Sequence, residues 1–321
     1  MRAYNAISVF SLRAFAFVAT ALALSAQPYG YVSNEMGDNI TVLNMANNTI
    51  TTEIPISSAG LSGIAITPSG AYLYVAEQSL GSVAVISTAT NGVVTTIPVG
   101  SGPIPVAITP NGNTVYVANS QSNTVSVINT ATNTVVATIP VGSKPVALAV
   151  TPNGANVLVA NLLSNTISFI STATNTVKST WTTDSGPSAI IVGPKGNTAY
   201  VAAQYANTIV THSLATGAIT GTATGFAAPD SLVMTPGGAY IYVANGNAAT
   251  VSEVRVSTGA IVATVLVGLL PTAVAMSPDG TTVYVANAYG YSLSEIATAT
   301  NNVTFTLPHV GIYPVSIAIY P

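Results

Sequence analysis

A single period runs the length of this chain. A proline that follows an apolar run falls at Pro68, Pro110, Pro152, Pro194, Pro236, Pro278 and Pro321, at an interval that is constant until it lengthens by one at the last step. A second marker, the pair Tyr-Val, starts at Tyr31, Tyr74, Tyr116, Tyr200, Tyr242 and Tyr284, with Leu158 in the remaining slot. Each marker occupies seven slots. Repetition at this length marks a propeller, a solenoid or an array, in which every unit buries its apolar surface against its neighbours.

The pattern inside one unit is β throughout. "VALAVTPNG" reads as a strand and a turn, and "NVLVAN", "NTISFIS" and "NTVKSTW" as three more strands. Short runs rich in Val, Ile and Thr between Asn, Gly and Pro turns are strands joined by hairpins. No segment repeats its apolar residues at 3.6. Four antiparallel strands in a unit of this size make a propeller blade. In Val146–Val150 the larger side chains alternate with alanines, and alternate residues face opposite sides of a strand, so facing blades can interlock.

The chain ends set the blade count. Residues 29–56 supply only the second, third and fourth strands of a unit, and residues 312–321 supply only a first strand. Together they complete a seventh blade. The expected fold is therefore an all-β, seven-bladed β-propeller over residues 27–321, its closing blade shared between the two ends of the chain. Val315, Ile317 and Ile319 are expected to be buried on one face of the last strand.

Arg2 and Arg13 precede the apolar run "AFAFVATALAL", which ends in Ser25-Ala26-Gln27. A basic start, a short apolar core and a small-residue exit describe a secretory signal peptide. This run of eleven residues falls short of the roughly 20 that a spanning helix needs. Residues 1–26 are thus expected to be removed after Ser25 or Ala26, leaving no membrane span and an exported chain: periplasmic, secreted or at the cell surface.

Charge then excludes several functions. Charged residues make up 5% of the chain, against about 25% in an ordinary soluble protein. Without its leader the chain keeps four of six basic residues and all nine acidic ones, a formal net charge of 4 − 9 = −5. Lys144, Lys178, Lys195 and Arg255 are scattered, whereas nucleic-acid binding needs several clustered phosphate contacts. No nucleic-acid partner is expected. The absence of cysteine excludes disulfides, thiolate metal sites and thiol nucleophiles. With so few titratable groups, stability is expected to vary little between mildly acidic and neutral pH.

At Tyr116-Val117-Ala118-Asn119, followed by "NTVSVINTATNTVVATIPVG", the sequence resembles the YVTN-type β-propeller repeat family. The resemblance covers nearly all of residues 27–321. It implies a seven-bladed propeller and an exported bacterial or archaeal surface-layer setting. Related seven-bladed folds include lactonases and quinoprotein dehydrogenases, so fold does not choose function. Glu77 and Ala203 depart from the repeat, which has Asn there, and Leu158 replaces Tyr. The recurring Asn34, Asn119, Asn161, Asn245 and Asn287 end second strands, where Asn is expected to bond its own backbone and take a left-handed turn.

Binding sites of propellers usually lie where loops between second and third strands meet the connections between blades. Seven residues fall there in three neighbouring sectors: His309, Tyr313, Glu35, Asp38, Glu77, Tyr289 and Tyr291. A histidine among carboxylates suits a general base or a metal site, and aromatics beside polar groups suit a glycan or peptide. Solvated loop residues are the plainer account. Asp230 begins an inner strand, either lining the channel or capping the turn, and His212 lies far out on a third strand. A lactonase-like site would want clustered Arg, His and Glu, but Arg255 is the only arginine beyond the leader. A quinoprotein is disfavoured by Trp181 being the sole tryptophan. The sequence assigns no catalytic or metal-binding residue and no cofactor. The expected function is a non-enzymatic binding or cell-surface scaffold for an unknown protein, glycan or small molecule. A lactonase-like hydrolase and a structural surface-layer protein are the alternatives.

Overall fold

The computed structural model describes residues 29–56 and 60–320; the expected leader and Pro321 lie outside them. The described residues form twenty-eight strands in seven antiparallel four-stranded sheets. Six blades each use consecutive strands. In the seventh, the strand order from the centre outward is Pro314–Tyr320, Tyr29–Asn34, Asn39–Asn44 and Thr49–Pro55. Val32 pairs with Ile317 and Tyr31 with Ala318. Both termini build this blade, as the repeat count requires. Blades are numbered here from residues 61–98 (blade 1) to this closing sheet (blade 7). No helix among the described residues is long and apolar enough to cross a membrane.

The core is distributed rather than central. Seven clusters of buried side chains are found, each drawn from two adjacent blades and together covering all seven junctions. The ring closes through Tyr31, Ile40 and Ala318 of blade 7 against Leu61, Ile64 and Leu73 of blade 1. Contrary to expectation, Val315, Ile317 and Ile319 are only half-buried. One side of each innermost strand borders the channel and lacks a packing partner; Pro314 and Ala318 are the buried members.

The repeated Tyr and Asn are explained by contacts between blades. Tyr74, Tyr116 and Tyr242 each donate a phenolic hydrogen bond to the Oδ1 of the Asn 59 residues later, at 2.9, 3.1 and 2.9 Å. Those acceptors, Asn133, Asn175 and Asn301, occupy the left-handed position of the hairpin between third and fourth strands of the next blade, with φ of 52°, 52° and 54°. Asn holds that conformation at little cost and offers a carboxamide that glycine lacks. Where Leu158 replaces the tyrosine, the residue at the acceptor's place is Gly217, so both halves of the clasp are missing. Its place is taken by aromatic packing: Trp181 stacks on Phe169 at 4.9 Å, and His212 lies 6.0 Å from Trp181. His212 is fully buried, its ring nitrogens held by the Gly217 carbonyl and the Thr183 hydroxyl. A Cβ on Gly217 would run into the Trp181 ring, and φ there is +73°. Gly217→Ala should therefore cost about 2–4 kcal/mol from left-handed strain and overpacking, read as a lowered thermal midpoint.

The asparagines that end second strands behave differently from expectation. They have ordinary strand backbones and are buried; the left-handed asparagines are others. Asn119 Nδ2 donates to Thr124 Oγ1 and Ser126 Oγ, each at 3.0 Å, and Asn161, Asn245 and Asn287 repeat the scheme with the next strand. The side chain fastens the loop to the following strand.

Candidate functional site

Loops between second and third strands meet the connections between blades on one face, as expected. Backbone hydrogen bonds tie each pair: Glu35 N to Tyr313 O at 2.9 Å, Ser120 N to Gly102 O at 2.8 Å, Leu162 N to Lys144 O at 2.9 Å and Ala288 N to Leu270 O at 2.8 Å. The residue supplying that carbonyl immediately precedes an innermost strand and is left-handed in all seven blades: Gly60, Gly102, Lys144, Gly186, Ala228, Leu270 and Tyr313. These seven positions encircle the channel mouth. Three are glycine, two are apolar, and Tyr313 alone brings an aromatic ring there. Tyr313 has φ +64° and precedes Pro314. Left-handed backbone costs a side-chain-bearing residue roughly 1–2 kcal/mol, and a following proline disfavours it further. This ring is held at the mouth against a backbone preference.

Tyr313 meets Tyr289 edge to face, with centroids 5.4 Å apart and planes at 68°. The Tyr289 ring stays 60% exposed. Glu35 accepts the Gly60 amide through its carbonyl and donates its own amide to Tyr313, so its backbone is fixed to both neighbouring connections. Its half-buried carboxyl is pushed above the usual carboxylate range by burial. The Tyr313 phenol is raised mainly by burial, then by Tyr289, by the charge of Glu35, by a hydrogen bond with Tyr289 and by the charge of Asp230. Glu35, Tyr289 and Tyr313 therefore form one group at the mouth.

The other four sequence candidates stand apart from that group. Glu77 is buried in the slot of the recurring Asn and accepts a 2.6 Å hydrogen bond from Ser82 Oγ. It fastens its loop as Asn119 does. Asp38 and Tyr291 occupy the last, left-handed position of their loops, point to solvent, and bond through their carbonyls to Ile56 N and Val310 N at the outer end of the connections. His309 is the extra residue of its lengthened unit. Pro308 ends the outer strand opposite Ser292 as Pro140 does opposite Thr124, and Val310, not His309, then makes the bond that Val141 makes elsewhere. His309 bulges out at φ 57°, exposed. A connection crosses from fourth strand to first, three spacings of about 4.8 Å, so the imidazole sits roughly 14 Å outward of the innermost strands. Among the described residues, no three His, Asp or Glu side chains are placed to share a metal ion.

Asp230 matters more than its position in the repeat suggests. It caps no turn. It lines the channel with Ser62, Ser188, Ser231, Thr272 and Ser316, around a cavity of about 270 Å³. In the same strand position, Ser188 Oγ donates to the Pro229 carbonyl of the next blade at 2.7 Å, and Thr272 Oγ1 to that of Pro314 at 3.0 Å. An ionised Asp230 has no proton to give its counterpart, Pro271. Burial raises its pKa to about 6. The signal was in the sequence: this slot otherwise holds Ser, Thr or aliphatic residues.

A YNCE-like β-propeller family model matches residues 101–212, and a seven-bladed β-propeller lactonase model matches residues 13–136. Each covers less than half of the chain. The chain is a β-propeller. No curated protein matches the sequence. Solved structures resemble this propeller along most of its length. A functionally unknown protein from Desulfotomaculum acetoxidans is 19% identical, with 91% of this chain and 98% of that one covered and a TM-score of 0.80. Kuenenia stuttgartiensis hydrazine synthase is 23% identical over 84% and 92%, TM-score 0.77. A candidate 6-phosphogluconolactonase from Bacteroides fragilis is 15% identical over 93% and 99%, TM-score 0.78. At these identities the likeness is one of fold.

Proposed function

We propose that this chain is an exported, non-enzymatic propeller of the YVTN type that holds a glycan over the mouth of its channel. The observation that carries the reading is the Glu35–Tyr289–Tyr313 group. An exposed tyrosine face offers a platform for the apolar side of a sugar ring, and a positioned carboxylate beside it accepts hydrogen bonds from hydroxyls. The aromatic ring is held in place by a left-handed residue at a position where three other blades have glycine. Export is supported by the sequence of residues 1–26 and by the poverty of charge.

A second reading, a lactone hydrolase, is favoured by the lactonase model match and by Asp230, a channel carboxylate whose proton affinity suits a general base. One experiment separates the two. Purified protein lacking residues 1–26 is screened for retention on a glycan panel and for hydrolysis of lactones. Glu35→Gln combined with Tyr313→Ala is expected to weaken glycan retention at least tenfold, while the parent shows no turnover. Lactone turnover in the parent that Asp230→Asn abolishes would replace the binding reading with the hydrolytic one.

A further inference from the structure

The repeat supplies its own control for a second site, on the outer part of the junction between blades 4 and 5. At the junction of blades 5 and 6, the space beneath the clasp is filled by three side chains. Tyr242 donates to Asn301 Oδ1 at 2.9 Å and lies 3.2 Å from Glu253 Oε1, and Asn301 Nδ2 donates to Glu253 Oε2 at 2.7 Å. The same three slots between blades 4 and 5 hold Tyr200, Thr211 and Gly259. Tyr200 and Gly259 stand as far apart in the chain as Tyr242 and Asn301, and Tyr200 pairs with Thr211 as Tyr242 does with Glu253. The outer strand adds a further loss of volume: Gly221 faces Thr211, where other blades place Thr95, Ala137, Ser179, Ala263 or Phe305.

A cavity of about 270 Å³ occupies the place of the missing groups. Its walls include the aliphatic side chains of Ile209, Ile241 and Val254, and the hydroxyls of Thr220, Thr222 and Thr258. The Tyr200 phenol borders it, raised in pKa by burial alone, with no hydrogen bond from the neighbouring blade. What is absent, by comparison with the next junction, is a carboxamide: an oxygen to accept from the tyrosine and an N–H to donate to the residue paired with it.

We propose that this cavity binds the acetamido group of an N-acetylated amino sugar. The amide oxygen accepts from the Tyr200 hydroxyl, as Asn Oδ1 does at three other junctions. Thr211 Oγ1, which stands where Glu253 does, donates to the same oxygen, because the N–H of a secondary acetamide is anti to its carbonyl and cannot repeat the syn N–H of Asn301. The acetyl methyl packs on Ile209 and Val254, and the threonine hydroxyls meet the sugar hydroxyls. A methyl-bearing amide fits the apolar wall, which a primary amide leaves uncovered, and one monosaccharide suits a volume just below that of ordinary ligand pockets. The site is independent of the channel mouth.

The test is titration of the protein with N-acetylglucosamine and with glucose, followed by calorimetry and by NMR. N-acetylglucosamine is expected to bind at least tenfold more tightly than glucose. Tyr200→Phe should weaken it by about three- to tenfold, the range of one neutral hydrogen bond. Gly259→Asn should abolish it while raising the thermal midpoint, because the protein's own carboxamide then fills the space. Asn is sterically admissible there: φ is +69°, in the left-handed region that the clasp asparagines occupy, and the nearest atom to an added Cβ is Ala223 Cβ at 3.5 Å. NMR shift changes on adding N-acetylglucosamine should fall on Tyr200 and Thr258 and not on Tyr289 or Tyr313, which separates this site from the channel-mouth reading. Equal affinity for the two sugars, no binding of either, or undiminished binding in folded Gly259→Asn protein would each overturn the proposal.

Discussion

Protein truncated after Ile312 should not form a folded monomer. The residues removed carry the whole innermost strand of blade 7, and with it all six pairings from Tyr29–Asn34 to the channel side. Three half-buried side chains, Val315, Ile317 and Ile319, account for about 2–5 kcal/mol at half the usual value for full burial. That is below the expectation for complete burial, yet still a large part of the roughly 5–15 kcal/mol that holds a typical domain together. The loss does not end there. Ala318 leaves the cluster joining blades 7 and 1, and Ile317 and Ile319 leave the one joining blades 6 and 7, so two of seven junctions are damaged together. Tyr29–Asn34 becomes an unpaired apolar edge, which invites pairing between molecules. Expression of the truncated chain should give aggregate, seen by size-exclusion chromatography and circular dichroism. A soluble monomer melting at the parent's temperature would show that closure contributes little.

Architecture was legible because the repeat speaks seven times. One unit's strand boundaries are ambiguous, but Pro and Tyr-Val at a fixed spacing leave a single phase that fits every copy. The same redundancy gave the blade count, since the partial units at the two ends add to one. What could not be read was the radial position of a residue within a connection. His309 and Tyr313 are close in sequence, and the connection between them runs from the outer strand toward the channel. Their shared place on the connection into the closing blade, to which Glu35 belongs, therefore put both in one cluster, whereas only Tyr313 reaches it. Glu77 misled for another reason: a carboxylate replacing a repeated Asn looks functional, yet its acceptor oxygen satisfies the hydroxyl of Ser82 within its own blade. The clasp between tyrosine and asparagine was hidden because its partners lie far apart in the chain and belong to different units. Once that contact is known, Gly217 and Gly259 become readable from the sequence as vacancies, one filled by Trp181 and one left open.

Asp230→Asn should stabilise the protein at neutral pH and make no difference near pH 4. The folded-state pKa of Asp230 is raised from 3.8 to about 6 by removal from water. A raised carboxyl pKa means that the folded protein holds the proton more tightly than the unfolded chain. The stabilising contribution of the protonated form is complete below about pH 4 and is lost as pH rises through 6. Two pKa units at 1.36 kcal/mol each give about 2–3 kcal/mol of destabilisation by the ionised group at pH 7. This departs from the expectation of flat stability drawn from the small number of charges, because one desolvated carboxylate outweighs many solvated ones. Burial raises Glu35 and Glu295 in the same direction, while the exposed Asp279, lowered by hydrogen bonds from Ser277 and Thr281, acts in the opposite one. Asn removes the charge and supplies an N–H for the Pro271 carbonyl, completing the bond that Ser188 and Thr272 make in their own blades. Thermal midpoints of both proteins measured from pH 4 to 8 should coincide at the acidic end and separate by several degrees above pH 6. Parallel curves across the whole range would mean that water solvates this carboxylate in the folded protein. The hydrolytic reading would then lose Asp230 as its candidate base.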